Sequence, residues 1–496
     1  MNYLYQLGLA LPAPARADLL SVRELLASFP WSILAELGAD YEAARQRYYK
    51  DNAAMAKRLG PCPKKRRTFK ERVAGLFREV FLGGGSPADG FAAEAGGEAE
   101  EEEEASAAGA KGIPFLPQLK AWLVAPFCGY PANGAAVARM LRCRSDLFAM
   151  CNFPDSLPPD ERQMRRFNAI LYRHGLWNEI KRRLVLANIE AEVVEGGETL
   201  IIDTSFTADF ATLGKAPLAC TRCAQPCPEP EKTCELTGIV AKSNSDKRPG
   251  LKAVAFVTPH SELPLDARVL RGSLHESQTL KPMLDPFVEN FPHLAHQTRR
   301  VIADAVIANG PNRAYLAEVL PGADLIGQVN PRSRKPIPKP ARGIEAIDPY
   351  GVPHCIAGHK LFLLGRDGRR EQYIWACPVH HPESPETELV CPSKSPCSKS
   401  RMGRIFRVDR GKTPQVRWEA PEHSKRHKVT YALRTAIERY WSRHKITLLF
   451  GRAWARGSLA LQAHADRMVI TAQFFARAAW EAGKALLARS YTALTE

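Results

Sequence analysis

Four short apolar, β-branched runs in the middle of the chain limit the folds that are open to it. They occupy residues 199–202, 253–257, 300–303 and 324–329, and helix-length segments separate them. Strand and helix patterns that alternate in this way predict an α/β fold, with a mixed sheet flanked by helices. Two of the runs end at an acid, Asp203 and Asp304, and open α/β sheets bind ligands at the carboxyl ends of their strands. An Asp after a strand is also a common turn residue, so each acid alone has a purely structural alternative.

The regions on either side of this core predict its domain organisation. Helical periodicity predicts helical regions at 1–82 and 113–190, and two C-terminal helices within 426–496, at about 429–449 and 456–489. Their basic residues make 1–82 a candidate for DNA binding and 113–190 a candidate for DNA binding or dimerisation. Residues 83–112 are mostly Gly, Ala and Glu, which bury too little apolar surface to fold, and predict a disordered acidic linker. Residues 191–329 form the first part of the α/β core. Residues 330–425, rich in Pro and Gly, predict a β-rich insertion that contains cysteines.

Length and charge narrow the class of protein. A chain of 496 residues exceeds one compact core, so we expect about two to four domains. No run of 18 apolar residues predicts a membrane span, and the N-terminus lacks the pattern of a signal peptide, so we expect a cytoplasmic, nucleoid-associated protein. Lys and Arg number 69 against 53 Asp and Glu, a net charge of +16, which favours a nucleic-acid partner over a merely basic soluble protein.

The basic residues form local clusters whose alternative interpretation is a solvated surface. Phosphate contact would place them against the DNA backbone, where contacts set position rather than sequence. The candidates are Lys64, Lys65, Arg66 and Arg67; Arg165 and Arg166; Arg334 and Lys335; and Lys425, Arg426 and Lys428.

A third acid lies in a helical pattern near the C-terminus. Tyr431, Arg434, Glu438 and Lys445 follow one another at spacings of 3, 4 and 7, which places them on one face of a continuous helix. Such a face suits a carboxylate that binds metal beside groups that bind phosphate. Its alternative is a solvated face with an ion pair between Arg434 and Glu438. Three carboxylates from separate regions can hold two divalent ions roughly 3.5–4 Å apart, as phosphodiester cleavage requires.

Two groups of cysteines are candidate zinc ligands. Cys220, Cys223, Cys227 and Cys234 lie within 15 residues of one another, and their alternative is four reduced thiols. A looser second set comprises Cys355, Cys377, Cys391 and Cys397, with His354, His380 and His381 nearby.

The chain resembles the cut-and-paste DDE transposases of bacterial insertion sequences, which have a ribonuclease-H-like catalytic domain. The pattern Tyr-x2-Arg-x3-Glu-x6-Lys at residues 431–445 is similar to that family's motif, and LIIDTSFTAD and VIADAVIANGPNRAYLAEVL look like its two aspartate strands. GVPHCIAGHKLFLLG resembles cysteine-bearing insertions in one branch of the family, and RGSLALQAHADRMVITAQFFARAA resembles the helix that closes its core. The resemblance covers roughly residues 155–490.

The resemblance implies a role for each matching residue. Asp203, Asp304 and Glu438 would bind two Mg²⁺ or Mn²⁺ ions, and Tyr431, Arg434 and Lys445 would contact phosphates near the transposon end. Glu276 lies where the family often has Asp. Trp375 and Trp418 are candidates to stack on a flipped base, against the alternative of a buried core Trp.

The implied activity is hydrolytic nicking of double-stranded transposon ends, followed by strand transfer into target DNA by a homodimer. Two alternatives remain open at this stage: a domesticated, catalytically inert DNA-binding regulator, and a nuclease of the same fold.

Overall fold

The computed structural model describes residues 20–59, 112–154, 156–208, 238–241, 247–329, 335–341, 343–385, 388–392, 397–413, 416, 425–455, 457–490 and 494–495. Several sequence predictions lie outside these residues: nearly all of the acidic linker, the basic cluster at 64–67, the cysteine cluster at 220–234, Arg334 and Trp418.

The described residues form fourteen α-helices in addition to a central sheet. They are α1 (Val22–Ser28), α2 (Ser32–Ala35), α3 (Leu37–Leu59), α4 (Phe115–Val124), α5 (Gly134–Cys143), α6 (Ser145–Met150), α7 (Glu161–Arg173), α8 (Leu176–Glu190), α9 (Leu280–Asn290), α10 (Pro292–Gln297), α11 (Gly310–Val319), α12 (Lys425–Ala432), α13 (Thr435–Ser442) and α14 (Ser458–Glu481). Local chemistry sets several of these starts. Ser21 and Glu24 form a capping box at α1, and Asp160 and Gln163 form one at α7.

Fourteen strands occur in the described part of the chain. They are β1 (Leu20–Ser21), β2 (Thr199–Thr207), β3 (Gly238–Ala241), β4 (Lys247–Val257), β5 (Pro264–Arg271), β6 (Arg300–Ile302), β7 (Asp324–Ile326), β8 (Ile337–Ala341), β9 (Ile344–Ile347), β10 (Pro353–Cys355), β11 (Phe362–Asp367), β12 (Gln372–Ala376), β13 (Ile405–Asp409) and β14 (Leu494–Thr495). Strands β1 and β14 pair with each other in parallel.

The central sheet is mixed, as the sequence predicts. Its strands follow the order β3-β4-β2-β6-β7, and β5 also pairs with β4. Strand β4 is antiparallel to β2, β3 and β5, whereas β2, β6 and β7 are mutually parallel. The strand that carries the first candidate acid therefore has an antiparallel neighbour on one side and a parallel neighbour on the other.

Helix α14 lies in the middle of the main hydrophobic core, where it packs against α8, β5, α7 and α1. Its residues Phe474 and Phe475 are fully buried, and Phe474 contacts Phe29 of the N-terminal segment with ring centroids 4.8 Å apart. The helices of residues 20–59 and 115–190 thus share one core with the sheet.

A buried ionic group joins three of these elements. Lys181 on α8 bonds to Asp266 on β5 and, at 2.8 Å, to Asp466 on α14. All three side chains are almost completely excluded from solvent. The attraction of close opposite charges is strong at such a site, and loss of one partner leaves a charge buried alone.

The insertion contains two three-stranded antiparallel sheets, β10-β9-β8 and β11-β12-β13. These sheets have a small hydrophobic core of their own, which includes Trp375, Tyr373 and Val408. The described residues of the region are therefore rich in β-strands. Trp375 is 3% exposed within that core, so the alternative of a buried Trp is the correct one for this residue.

Several predicted element boundaries are wrong. Strand β2 does not end at Asp203 but continues to Thr207, because its antiparallel pairing with β4 extends beyond its pairing with β6. The predicted helix at 429–449 is divided into α12, α13 and a π-helical turn at Arg443–Thr447. Strand β5 was not predicted at all. Among the described residues, none of the helices is long and apolar enough to cross a membrane.

Candidate active site

Asp203 and Asp304 come together at one edge of the central sheet. The parallel pairing of β2 with β6 covers Thr199–Ile201 and Arg300–Ile302, so Asp203 lies just past it and Asp304 follows two residues after β6. The two acids are near enough for the charge of Asp304 to raise the pKa of Asp203. The edge predicted from the sequence therefore exists, although β2 continues through it.

Asp304 also has the structural role that the alternative interpretation gives it. Its Oδ1 accepts hydrogen bonds from the backbone N–H groups of Val306, at 3.0 Å, and Ile307, at 2.9 Å. These bonds shape the turn after β6 and hold the carboxylate in place. The turn role and the site role are thus compatible in one residue.

Glu438 reaches the same place from the C-terminal helices. Helix α13 packs against β2 and β4, and its residues Ala436, Ile437 and Tyr440 are buried, whereas the Glu438 side chain is 56% exposed. A helix held this way presents its polar face beside the strand that carries Asp203.

The side chain of Arg434 joins two of the three acids. Its Nη1 lies 2.6 Å from Glu438 Oε1, and its Nη2 lies 3.5 Å from Asp203 Oδ2. The predicted i,i+4 pair is therefore present, and its arginine also reaches a strand more than two hundred residues earlier in the sequence. The guanidinium supplies positive charge between two carboxylates.

The pKa of Asp203 is strongly shifted. Burial, together with the nearby charges of Asp304 and Glu276, raises its pKa from 3.8 to about 6. Arg434 and the backbone N–H of Thr204 act in the opposite direction, and burial outweighs them. A carboxylate in this position gains from any further positive charge placed next to it.

Glu276 is a fourth acid at the site. It begins a 3₁₀ turn at Glu276–Gln278, and its Oε1 accepts a hydrogen bond of 3.1 Å from the Thr204 hydroxyl, next to Asp203. The sequence pattern indicates this residue only weakly, since its turn follows no apolar run that ends at an acid. Its proximity depends on the pairing of β5 with β4, which the sequence pattern did not reveal.

Tyr431 lies beside the acids at the end of α12. Burial and the charges of Asp304, Asp203 and Glu438 raise the pKa of its hydroxyl, which Arg434 partly opposes. Its ring stacks on that of His427, with centroids 5.7 Å apart. The structure therefore brings Tyr431, Arg434 and Glu438 together as the motif predicts.

Lys445 does not follow the predicted helical face. It lies half-buried in the π-helical turn at Arg443–Thr447, after α13 has ended. A π turn contains more residues than an α turn, so a spacing of 7 from Glu438 no longer corresponds to two α-helical turns. The prediction of one continuous helical face is wrong at this residue.

The described basic residues differ in their surroundings. Lys425, Arg426 and Lys428 are exposed at the start of α12, the helix that carries Tyr431, and Lys335 is exposed before β8. On α7, Arg165 pairs with Glu161, and Arg166 donates a hydrogen bond of 2.9 Å to the Tyr49 hydroxyl. The cluster on α12 is thus the one that continues directly into the acidic site.

The four cysteines of the second set, called here the insertion cysteines, line one cavity of about 650 Å³. They are Cys355, Cys377, Cys391 and Cys397. Burial, and then the other three thiols, raise the pKa of the Cys397 thiol. His380 lines the same cavity, whereas His354 bonds to Asp348 at 3.2 Å.

Within the part of the chain that the structure describes, no three Cys, His, Asp or Glu side chains are arranged so that they could hold a metal ion. At the acidic site Arg434 contacts Asp203 and Glu438 from between them. The donor set itself, carboxylate oxygens, is the one that Mg²⁺ and Mn²⁺ prefer.

Comparison with known proteins gives no further assignment. No protein-family model matches the chain, and no curated protein or solved structure is significantly similar to it.

Proposed function

We propose that the protein is a DNA transposase of the DDE class, whose catalytic acids are Asp203, Asp304 and Glu438. The observation that carries the proposal is the bridge of Arg434 between Asp203 and Glu438, with Asp304 beside Asp203. Three acids from distant parts of the sequence converge on one sheet edge, as the motif requires.

The charge balance of the site supports divalent cations as cofactors. Asp203, Asp304, Glu438 and Glu276 supply four carboxylates, and Arg434 is the cation that contacts two of them. Burial raises the pKa of Asp203, and the charges of Asp304 and Glu276 add to the repulsion that its negative charge meets there. Two Mg²⁺ or Mn²⁺ ions would relieve it, and oxygen ligands fit such ions.

Each residue has a role that follows from its position. Asp203 and Asp304 would hold the ions from the rigid edge of β2 and β6, and Glu438 would complete the set from α13. Arg434 would turn from the acids towards a DNA phosphate, where Tyr431 also lies. When bound, the cations activate the attacking water or 3′-hydroxyl and stabilise the leaving oxygen.

The fold supports the same proposal at a coarser level. We propose that the sheet is ribonuclease-H-like, with β2 at its centre between antiparallel β4 and parallel β6. The β-rich insertion lies between Asp304 and Glu438 in the sequence, as the resemblance implies.

Double-stranded DNA is the proposed partner. The net charge of +16 favours a polyanion, and the exposed start of α12 places Lys425, Arg426 and Lys428 on the helix that leads to the acids. A DNA backbone bound at these residues would lead into the acidic site. Cleavage of paired transposon ends would use a homodimer on the DNA.

An inert DNA-binding regulator is the second candidate. The observation that favours it is that Arg434 already neutralises part of the charge on Asp203 and Glu438. In a regulator this ion pair would be permanent, and the acids would serve stability alone.

Replacement of Glu438 by Gln separates the two candidates. Purified protein, Mg²⁺ and a labelled duplex carrying the ends that flank this gene should give cleavage at the element boundary. The Glu438→Gln variant should bind the duplex as wild type does and give no cleavage, and EDTA should have the same effect. Tight binding by the wild type without cleavage in Mg²⁺ or Mn²⁺ would establish the regulator instead.

Glu481 offers a matched control. It pairs with Arg477 at i,i+4 and 2.6 Å, the same geometry as the pair of Glu438 with Arg434, but it lies at the end of α14. Glu481→Gln should therefore cleave at the wild-type rate. An equal loss of cleavage in the Glu438→Gln and Glu481→Gln variants would mean that such ion pairs matter only for folding.

A further inference from the structure

The connection from β12 to β13 is unusually long for a hairpin. Strand β12 ends at Ala376 and β13 begins at Ile405, and the described residues between them contain no helix or strand. Antiparallel neighbours usually need about 2–5 connecting residues. A segment of this length needs contacts other than a backbone ladder to hold it against the sheets.

Among the described residues, the core of the insertion supplies few such contacts. Its buried cluster there has eight members, six of which lie in the two three-stranded sheets. Small units of this kind are often stabilised by a disulfide or a metal ion. Each of the four insertion cysteines is a free thiol in this structure.

The insertion cysteines are placed where a metal would join separate parts of this region. Cys355 is the last residue of β10, in one sheet, and Cys377 directly follows β12, in the other. Cys391 and Cys397 lie within the long connection. All four line the same cavity.

Tight turns accompany two of these cysteines. The backbone N–H of Gly358 donates to the carbonyl of Cys355 at 2.9 Å, with Gly358 at a φ of 83°. Gly403 has a φ of 72°, and a Cβ there would lie 2.6 Å from the Cβ of Cys377. The chain is thus folded closely around Cys377, and the turn after Cys355 has a positive φ that favours glycine.

We propose that the insertion binds one structural zinc ion through four thiolates: those of Cys355, Cys377, Cys391 and Cys397. Four cysteines are a standard tetrahedral set for structural zinc. The ion would link the two sheets and fix the long connection to both. This site differs from the cluster at 220–234, and it does not depend on the transposase proposal.

The charge of the cavity suits such a complex. Four thiolates around Zn²⁺ carry a net charge of about −2. Lys399, Arg401 and Arg404 line the same cavity and supply positive charge. In this structure the four thiols surround the cavity without meeting at ligand distance, so zinc binding would draw them inward.

The zinc content of the purified full-length protein tests the proposal. Cys377→Ser combined with Cys391→Ser should lower the content by about one equivalent per chain. In the matched control, which replaces the four cysteines of 220–234 by serine, that equivalent should remain. An unchanged zinc content in the double variant, or no zinc in wild type refolded with Zn²⁺, would overturn the proposal.

A measurement on the wild type covers the case in which the variant does not fold. Alkylation followed by mass spectrometry should show the four insertion cysteines reacting about tenfold more slowly with zinc than after chelation. Cys143, exposed on α5, should react equally in both states. Equal reactivity of the insertion cysteines with and without zinc would refute the site.

Discussion

Replacement of Asp203 by Asn should stabilise the folded protein at neutral pH, even though it removes a proposed catalytic acid. Burial, aided by Asp304 and Glu276, raises the pKa of Asp203 to about 6, so its ionised form is disfavoured in the folded state. The side chain is only 16% exposed, so solvent offsets little of the free-energy cost of ionising it. Asn retains an oxygen that can accept the N–H of Thr204, which Asp203 now accepts at 2.8 Å.

The size and pH dependence follow from the pKa. A rise of about two units corresponds to about 3 kcal/mol, at about 1.4 kcal/mol per unit. Because the pKa is raised in the folded state, the contribution of Asp203 to stability is fully present below about pH 4 and is lost as pH rises through about 6. The advantage of Asn should therefore be about 3 kcal/mol at pH 7.5, about half of that at pH 5, and near zero at pH 4.

Guanidinium titrations in EDTA across this pH range measure the difference in free energy of unfolding. Asp146→Asn is the control of opposite sign, because a hydrogen bond from Arg144 lowers the pKa of Asp146. This variant should lose stability above about pH 4. Added Mg²⁺ should stabilise the wild type more than Asp203→Asn. Lower stability of the Asn variant at pH 7.5, or an advantage that is constant with pH, would contradict a raised pKa of Asp203 in the folded protein.

Two further substitutions test other parts of the structure. Lys181→Met leaves both of its aspartate partners buried without their cation and should cost about 3–5 kcal/mol in guanidinium titrations. Lys281→Met removes an exposed ion pair with Asp285 and should leave the free energy of unfolding unchanged. An equal loss of stability in the Lys181 and Lys281 variants would contradict the burial of the Lys181 group. Gly403→Ala places a methyl group against Cys377 at a positive φ and should destabilise the insertion by about 1–3 kcal/mol, measured by Trp375 fluorescence. An unchanged unfolding midpoint in the Gly403→Ala variant would count against the close contact of Gly403 with Cys377.

The elements that the sequence predicted well are those whose pattern is local. The apolar runs at 199–202, 253–257, 300–303 and 324–329 all lie within or overlap observed strands. Met164, Phe167, Ile170 and Leu171 form a buried helical stripe on α7, as their spacing indicates. The pair of Arg434 with Glu438 follows from i,i+4 geometry alone.

Strand β5 shows why other features could not be predicted. Its residue Asp266 would be unfavourable inside a protein unless a cation were buried with it. That cation is Lys181, on a helix about eighty residues earlier, and no local pattern connects the two. The same absence of local information conceals the contact of Arg434 with Asp203 and the placement of Glu276 beside Thr204.

The helical break at the motif has a different cause. Leu433 and Arg434 lie in a turn between α12 and α13, although their sequence has no Pro or Gly to end a helix. Helix α13, which follows the break, packs against β2 and β4, and no local pattern predicts these tertiary contacts. A helical period therefore predicted the contact at Glu438 but not the position of Lys445.

The central position of α14 has a consequence for synthesis of the protein. Helix α1 and Phe29 pack against α14. Helix α1 therefore completes its burial only after α14 has emerged from the ribosome. Roughly 450 residues separate the two, which takes about 20 to 90 s at usual rates of translation. During that time the apolar face formed by Leu25 and Leu26 has no native partner on α14. The nascent chain should therefore be a substrate for chaperones until its C-terminal helix arrives.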